Sequence, residues 1–154
     1  MLASMGVALG LHVISAVFWV GGMFFAYQCL RPAVAEMTPG ERTALWARVL
    51  GNFFRWVLVA VPVILLSGLW MMMNELPAVP LRVHVMLGLG ILMMLLFLHV
   101  YFAPFRRLQR AVAAGDTALA AAQVGTIRKL VAVNLSLGIT VVLIATAGRY
   151  LLPA

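Results

Sequence analysis

Three histidines, His12, His84 and His99, stand in otherwise apolar stretches of this chain. An ionisable side chain in hydrocarbon is costly and is a functional candidate by default. Counting back from Arg31 by about 20 residues, the length that crosses a bilayer, puts the outer boundary near Gly10 and His12 just inside the outer leaflet. His84 follows Leu81 by about 4.5 Å of helix rise, so two imidazoles from different helices are expected at similar depth. Facing imidazoles at matched depth supply the axial lone pairs for bis-histidine ligation of one haem b; the alternative for each of them is an interhelical hydrogen bond. Arg82, two residues before His84, could hold a propionate or another anion; Arg149 and Tyr150 could do the same from the last helix. Trp19 and Gly88 complete the expected cofactor-binding set. Glycine in a membrane helix more commonly means close packing, and the alternative at Gly21, Gly22, Gly88 and Gly90 is room for a flat cofactor. His99 lies about 22 Å of rise beyond His84. It has no second histidine to pair with, which leaves it as a lone axial ligand, a proton relay near Tyr101 or a hydrogen-bonding group.

Methionine offers a rival chemistry. The ten methionines include Met71, Met72 and Met73 at the outer end of the second apolar run, close in depth to His12 and His84. Thioethers with imidazole suit Cu(I). Consecutive helical residues point about 100° apart, so all three cannot reach one ion. Methionine also packs well in apolar surroundings, and Met93 and Met94 are expected in the core. Other constellations are missing. The four acidic residues, Glu36, Glu41, Glu75 and Asp116, fall in loops or at helix ends, which leaves paired-carboxylate catalysis and a hard-cation cage unsupported. No phosphate loop or nucleophile triad is present. The single cysteine, Cys29, excludes an internal disulfide and a thiolate cage.

The elements that must position these groups follow from composition. With 65% hydrophobic and 10% charged residues in 154, the chain lies outside the range of soluble domains. It has room for four spans and no separate soluble unit, so a single membrane domain is expected over 1–154, an all-α four-helix bundle. Apolar runs place its helices at about 2–30, 41–73, 81–112 and 128–152. The net charge of +7 sits in the gaps between runs and forms no single patch, which argues against a nucleic-acid partner. Arg31, Arg42, Arg48 and Arg55 lie between runs one and two, and Arg106, Arg107, Arg110, Arg128 and Lys129 between three and four. The middle loop has only Arg82 against Glu75. By the positive-inside rule both basic loops face the cytoplasm and both termini the opposite side. For a Gram-negative bacterium, taken as the source, that side is the periplasm and the protein is multi-pass in the inner membrane. Ala33-Val34-Ala35 has the small residues of a cleavage site, but no basic stretch precedes the first run and the run is too long for a signal peptide. It is read as a retained helix.

The connections carry signals of their own. Thr38-Pro39-Gly40-Glu41 predicts a helix start, with Thr38 as cap and Pro39 at the first position. The segment Glu41 to Asn52 is expected to be amphipathic and interfacial, with Trp46 and Trp56 as headgroup anchors. Phe105 to Val112 continues the third helix after Pro104, and Gly115-Asp116 breaks it ahead of a short Ala-rich stretch.

These residues also carry a family likeness. The stretch from Leu11-His12-Val13 to Phe18-Trp19-Val20-Gly21-Gly22 resembles the first-helix pattern of the copper-resistance D (CopD) family, a histidine followed by Trp-x-Gly-Gly. Val83-His84-Val85-Met86, Phe97-Leu98-His99-Val100-Tyr101-Phe102-Ala103-Pro104 and Arg106-Arg107-Leu108 resemble the third-helix region of short CopD-like proteins. Ile127-Arg128-Lys129-Leu130 through Asn134-Leu135, and Gly148-Arg149-Tyr150, extend the likeness over nearly the whole chain. The family name implies copper. Larger members, proposed to move copper across the inner membrane, have about twice as many helices, so a copper path through four spans implies a homodimer. A more distant likeness is to HemJ-type protoporphyrinogen oxidase, which has a histidine in helix one and a lysine early in the third helix, where His84 stands here. The expectation is therefore a haem b protein in electron transfer or porphyrin-linked redox chemistry. It would be a candidate membrane oxidoreductase working with the bilayer and a quinone or redox partner. The alternatives are a copper-binding or copper-transporting protein using His12, His84 and Met71 to Met73, and a cofactor-free structural subunit.

Overall fold

A backbone N–H or C=O without a partner costs several kcal/mol in hydrocarbon, so a membrane segment with this composition closes its hydrogen bonds within itself as a helix. The computed structural model describes residues 2–74 and 79–151. Four helices in it are long and apolar enough to cross a membrane: α1 (Ala3–Ala33), α2 (Pro39–Asn74), α3 (Leu81–Ala113) and α4 (Thr117–Thr146). A short terminal helix, α5 (Gly148–Leu151), comes after them. The protein is an all-α, multi-pass membrane protein. Glu75 and the end of the fourth expected run past Leu151 lie outside the described residues, as does the side chain of Arg149.

Local chemistry accounts for where the helices start and stop. Thr38 and Glu41 form a reciprocal cap: Glu41 Oε2 accepts from the Thr38 backbone N–H at 3.3 Å, and Thr38 Oγ1 accepts from the Glu41 N–H at 3.5 Å. Between α3 and α4, Gly115 takes a left-handed conformation at φ +71°. Its N–H reaches Val112 O, and the Asp116 N–H reaches Ala111 O, which closes the orphan carbonyls of α3. Asp116 then caps α4 by accepting from the Leu119 N–H at 2.9 Å.

One boundary and the surroundings of one segment differ from expectation. α4 begins at Thr117, well before residue 128. The stretch from Thr117 is too polar to register as a span, but Ala120 at 0% exposure and buried Ile127 pack it against the end of α3. The segment Glu41 to Asn52 is continuous with α2, and its apolar stripe faces protein: Thr43 and Leu50 are buried and Trp46 is half-buried. Trp56 is 67% exposed on the outer surface of α2.

Two π-helical stretches occur at the same end of the bundle, Phe25–Leu30 in α1 and Tyr101–Phe105 in α3. The second contains Pro104, whose missing N–H removes one α-helical bond and is accommodated by the wider turn.

α1 packs against α2 and α3 against α4, and α4 also touches α1 and α2. The core lies toward the end that carries the basic loops, here called the basic end. There Phe54 of α2 meets Phe105 at 4.9 Å and Phe97 at 5.5 Å, both edge to face, and Trp19 of α1 meets Phe97 at 6.1 Å. Met93 and Met94 are buried with them, as expected. Toward the far end, where the chain begins and α4 finishes, no large hydrophobic side chain among the described residues is buried beyond Met93; Ser15 and Ser67 are.

At the crossing level, Gly138 of α4 lets α1 and α3 approach. A methyl group there would stand 2.9 Å from Val20 Cγ2 and 3.1 Å from Met93 Cε, whereas one at Gly88 would meet nothing within 4 Å. Gly138→Ala is expected to cost about 1 to 3 kcal/mol through overpacking, read as a lowered melting temperature in detergent. Gly88→Ala, which adds a methyl in open space within a helix, should not lower that temperature.

Candidate functional site

The site with the best-defined geometry forms where α1 and α2 face each other toward the far end. His12 reaches across from α1, its Nδ1 standing 3.1 Å from Ser67 Oγ on α2. The Ser67 hydroxyl bonds back to its own helix, to Val63 O at 2.5 Å, with Ile64 O at 3.2 Å. A serine hydroxyl has one hydrogen. We assign that hydrogen to the backbone, which makes Ser67 Oγ the acceptor and His12 Nδ1 the donor. The neutral ring then carries its proton on Nδ1 and a free lone pair on Nε2. Metal-ligating histidines are commonly held this way, one nitrogen donating to a fixed acceptor and the other left for the metal. Gly68 makes the room: a Cβ there would stand 3.1 Å from His12 Cε1 and 3.4 Å from Nδ1.

The antiparallel pairing that sets His12 against Ser67 also places two methionines further along the same helix faces. Met71 is one turn beyond Ser67 on the same face of α2, and Met5 is two turns from His12 on the same face of α1. Met71, Met72 and Met5 are half-buried, while Met73 is 83% exposed. The three consecutive methionines therefore diverge as helix geometry requires, and Met71 is the one aligned with His12.

The other expected site residues are dispersed. His84 is exposed, with Nδ1 3.3 Å from Pro80 O in the turn before it. Apart from Trp19 meeting Phe97, α1 and α3 scarcely touch, and no hydrogen bond links the two histidine rings. Trp19 is buried within the aromatic core. Gly88 is exposed in open space, Arg82 is half-buried, and His99 and Tyr150 are exposed. Among the described residues no three His, Cys, Asp or Glu side chains gather as a metal-holding group. This arrangement gives haem b no support. His12 and His84 turn to different partners, and neither lines the clefts of about 420 and 290 Å³ found elsewhere.

Sequence reasoning passed over Ser67, Gly68 and Met5. A serine-glycine pair inside an apolar run was the available signal, since small and hydroxyl residues in membrane helices mark helix contacts. It also left Asn134 without a role of its own. That side chain is 5% exposed on α4, its Oδ1 has no hydrogen-bond partner, and it borders a void of about 10 Å³ beside Trp19, Phe54 and Phe97. Such a void holds at most one water.

Four spanning helices, a core gathered at one end and a histidine held between the first two helices at the other define a small multi-pass membrane protein. Within that class the chain belongs to the CopD family: the family model described as copper resistance protein D matches residues 47–147. The match takes in Met71 to Met73, His84, His99 and Asn134, and begins after α1, so His12 precedes it. No curated protein and no solved structure matches the chain.

The hydrogen-bond assignment predicts one tautomer. In protein labelled with ¹⁵N-histidine and held in micelles, the His12 resonances, identified by their loss in His12→Ala, should report a protonated Nδ1 and an unprotonated Nε2. Ser67→Ala should weaken that preference, leaving the Ile64 backbone as the ring's other partner. A protonated Nε2 in the unaltered protein would contradict the assignment.

Proposed function

We propose that this CopD-family protein handles copper within the membrane, taking Cu(I) as its cargo at the far end of the α1–α2 pair. The observation that carries the reading is the His12–Ser67 hydrogen bond, which leaves Nε2 of a half-buried imidazole available as a ligand. Met71 supplies the soft thioether that selects Cu(I) over harder ions. Met5 and Met72, and His84 from α3, would serve as further stations on the way in or out. Divergent methionines suit transit, because conduction needs binding strong enough to enter and weak enough to leave. The basic loops are proposed to face the cytoplasm, with the copper site toward the opposite side and the protein in a bacterial inner membrane.

The test is a Cu(I) competition titration of detergent-purified protein against a chromogenic chelator. One ion per chain is expected, with His12→Ala and Met71→Leu each weakening binding by at least about tenfold, the low end of what loss of a metal ligand's support costs. A variant at Met73, which faces lipid, should bind as the unaltered protein does. An absorption spectrum of the same sample decides against the haem b alternative or for it. A Soret band that shifts with dithionite and is lost in both His12→Ala and His84→Ala would transfer the site to haem.

A further inference from the structure

We propose that the cleft at the basic end, between α1, α2 and α4, holds the phosphate headgroup of an anionic phospholipid. It has a volume of about 420 Å³, and three helical regions each bring one guanidinium to it: Arg31, Arg42 and Arg128. No carboxylate among the described residues lines it. Three like charges around one concavity repel each other, and nothing in the cleft offsets them.

Arg31 and Arg42 are placed by contacts of their own, and all three arginines still have capacity to bind. Arg31 stands over the ring of Tyr27, its Cζ 5.4 Å from the centroid, at the end of the π-helical turn that widens α1 there. Arg42 is half-buried and donates one of its five N–H groups, through Nη1, to Ala35 O at 3.3 Å. Arg128 has no hydrogen bond or ion pair among the described residues. Guanidinium forks match phosphate oxygens bidentately, and the same planar group stacks on aromatic faces, as Arg31 does on Tyr27.

The remainder of the cleft selects the occupant. Its floor is apolar, formed by Leu50 and Ile127 at 3% exposure each, and Trp46 stands at its wall. A small inorganic anion would use the arginines and leave that floor wet. A phospholipid satisfies both parts, with its phosphate on the guanidiniums and its glycerol and upper acyl carbons on the floor. The positive-inside rule assigns this end to the cytoplasmic leaflet, which is rich in anionic lipid. Basic pockets between membrane helices at that level have the chemistry to take such headgroups. The inference stands apart from the copper reading, since the two sites lie at opposite ends of the bundle.

The experiment is a lipid titration of the detergent-solubilised full chain, read by melting temperature and by native mass spectrometry, with phosphatidylglycerol, phosphatidylcholine and inorganic phosphate as separate arms. Phosphatidylglycerol should stabilise the protein saturably and be retained in the gas phase. Phosphatidylcholine should do neither, and inorganic phosphate should not displace the bound lipid. The paired variant Arg42→Gln/Arg128→Gln should weaken phosphatidylglycerol binding by about tenfold or more, as expected for lost hydrogen bonds to a charged group. Arg106→Gln/Arg110→Gln, which removes equal charge outside the cleft, should not. Equal weakening by both pairs would reduce the effect to general attraction by a basic surface and overturn the site. Displacement by inorganic phosphate would overturn the lipid as occupant. A third measurement needs no arginine variant. Brominated phosphatidylglycerol should quench the Trp46 emission, taken as the difference from Trp46→Phe, more than brominated phosphatidylcholine does; equal quenching rejects the proposal.

Discussion

The packing of one ring, Phe54, decides how this bundle is held together. Lipid chains are as apolar as the side chains of a membrane bundle, so burying apolar surface among helices gains little, and association rests on shape and on specific contacts. Phe54 is 2% exposed, and its contacts with Phe97 and Phe105 join the α1–α2 pair to α3. Edge-to-face pairs of this kind each contribute about 0.5 to 1.5 kcal/mol beyond area burial. Nothing comparable among the described residues joins the helices at the far end, where Leu11, Val13, Leu66, Leu81 and Val85 turn outward.

That asymmetry separates two kinds of chemistry. At the far end, a polar pair, His12 and Ser67, links α1 to α2. Ser67 spends its hydrogen on its own helix, a back-bond common for serine in apolar helices, and so becomes a pure acceptor. The acceptor then determines which imidazole nitrogen faces outward. At the basic end, tight packing of Leu108, Ala111 and Ala120 leaves the extensions of α1, α2 and α4 to frame a cleft with arginines on its rim. The π-helical stretches of α1 and α3 lie at this same end, and each wider turn shifts the helical residues after it away from straight α-helical register.

Much of this was legible beforehand, and the reasons are local. The four spans are a matter of hydropathy summed over about 20 residues. The Thr38–Glu41 cap and the Gly115–Asp116 break each involve atoms a few bonds apart, so sequence spacing alone determined them. The divergence of Met71, Met72 and Met73 follows from rotation per residue. The start of α4 was missed because Thr117 to Lys129, Ala-rich but broken by Gln123, Gly125, Arg128 and Lys129, is too weakly apolar to read as part of a span, and its burial against the end of α3 makes it part of the bundle.

The partner of His12 belongs to another category. Sequence determines how deep a side chain sits and which face of its own helix it occupies, but not which neighbouring helix that face meets. Matched depth made His84 of α3 an equal candidate. The tertiary structure decided for Ser67, because α1 packs along α2 and scarcely meets α3. The same holds for Arg31, Arg42 and Arg128, far apart in sequence and gathered around one cleft only by the crossing of three helices. Charge count determined that the loops are basic. Neighbourhood, set by packing of side chains distant in sequence, decided what those charges and that imidazole can bind.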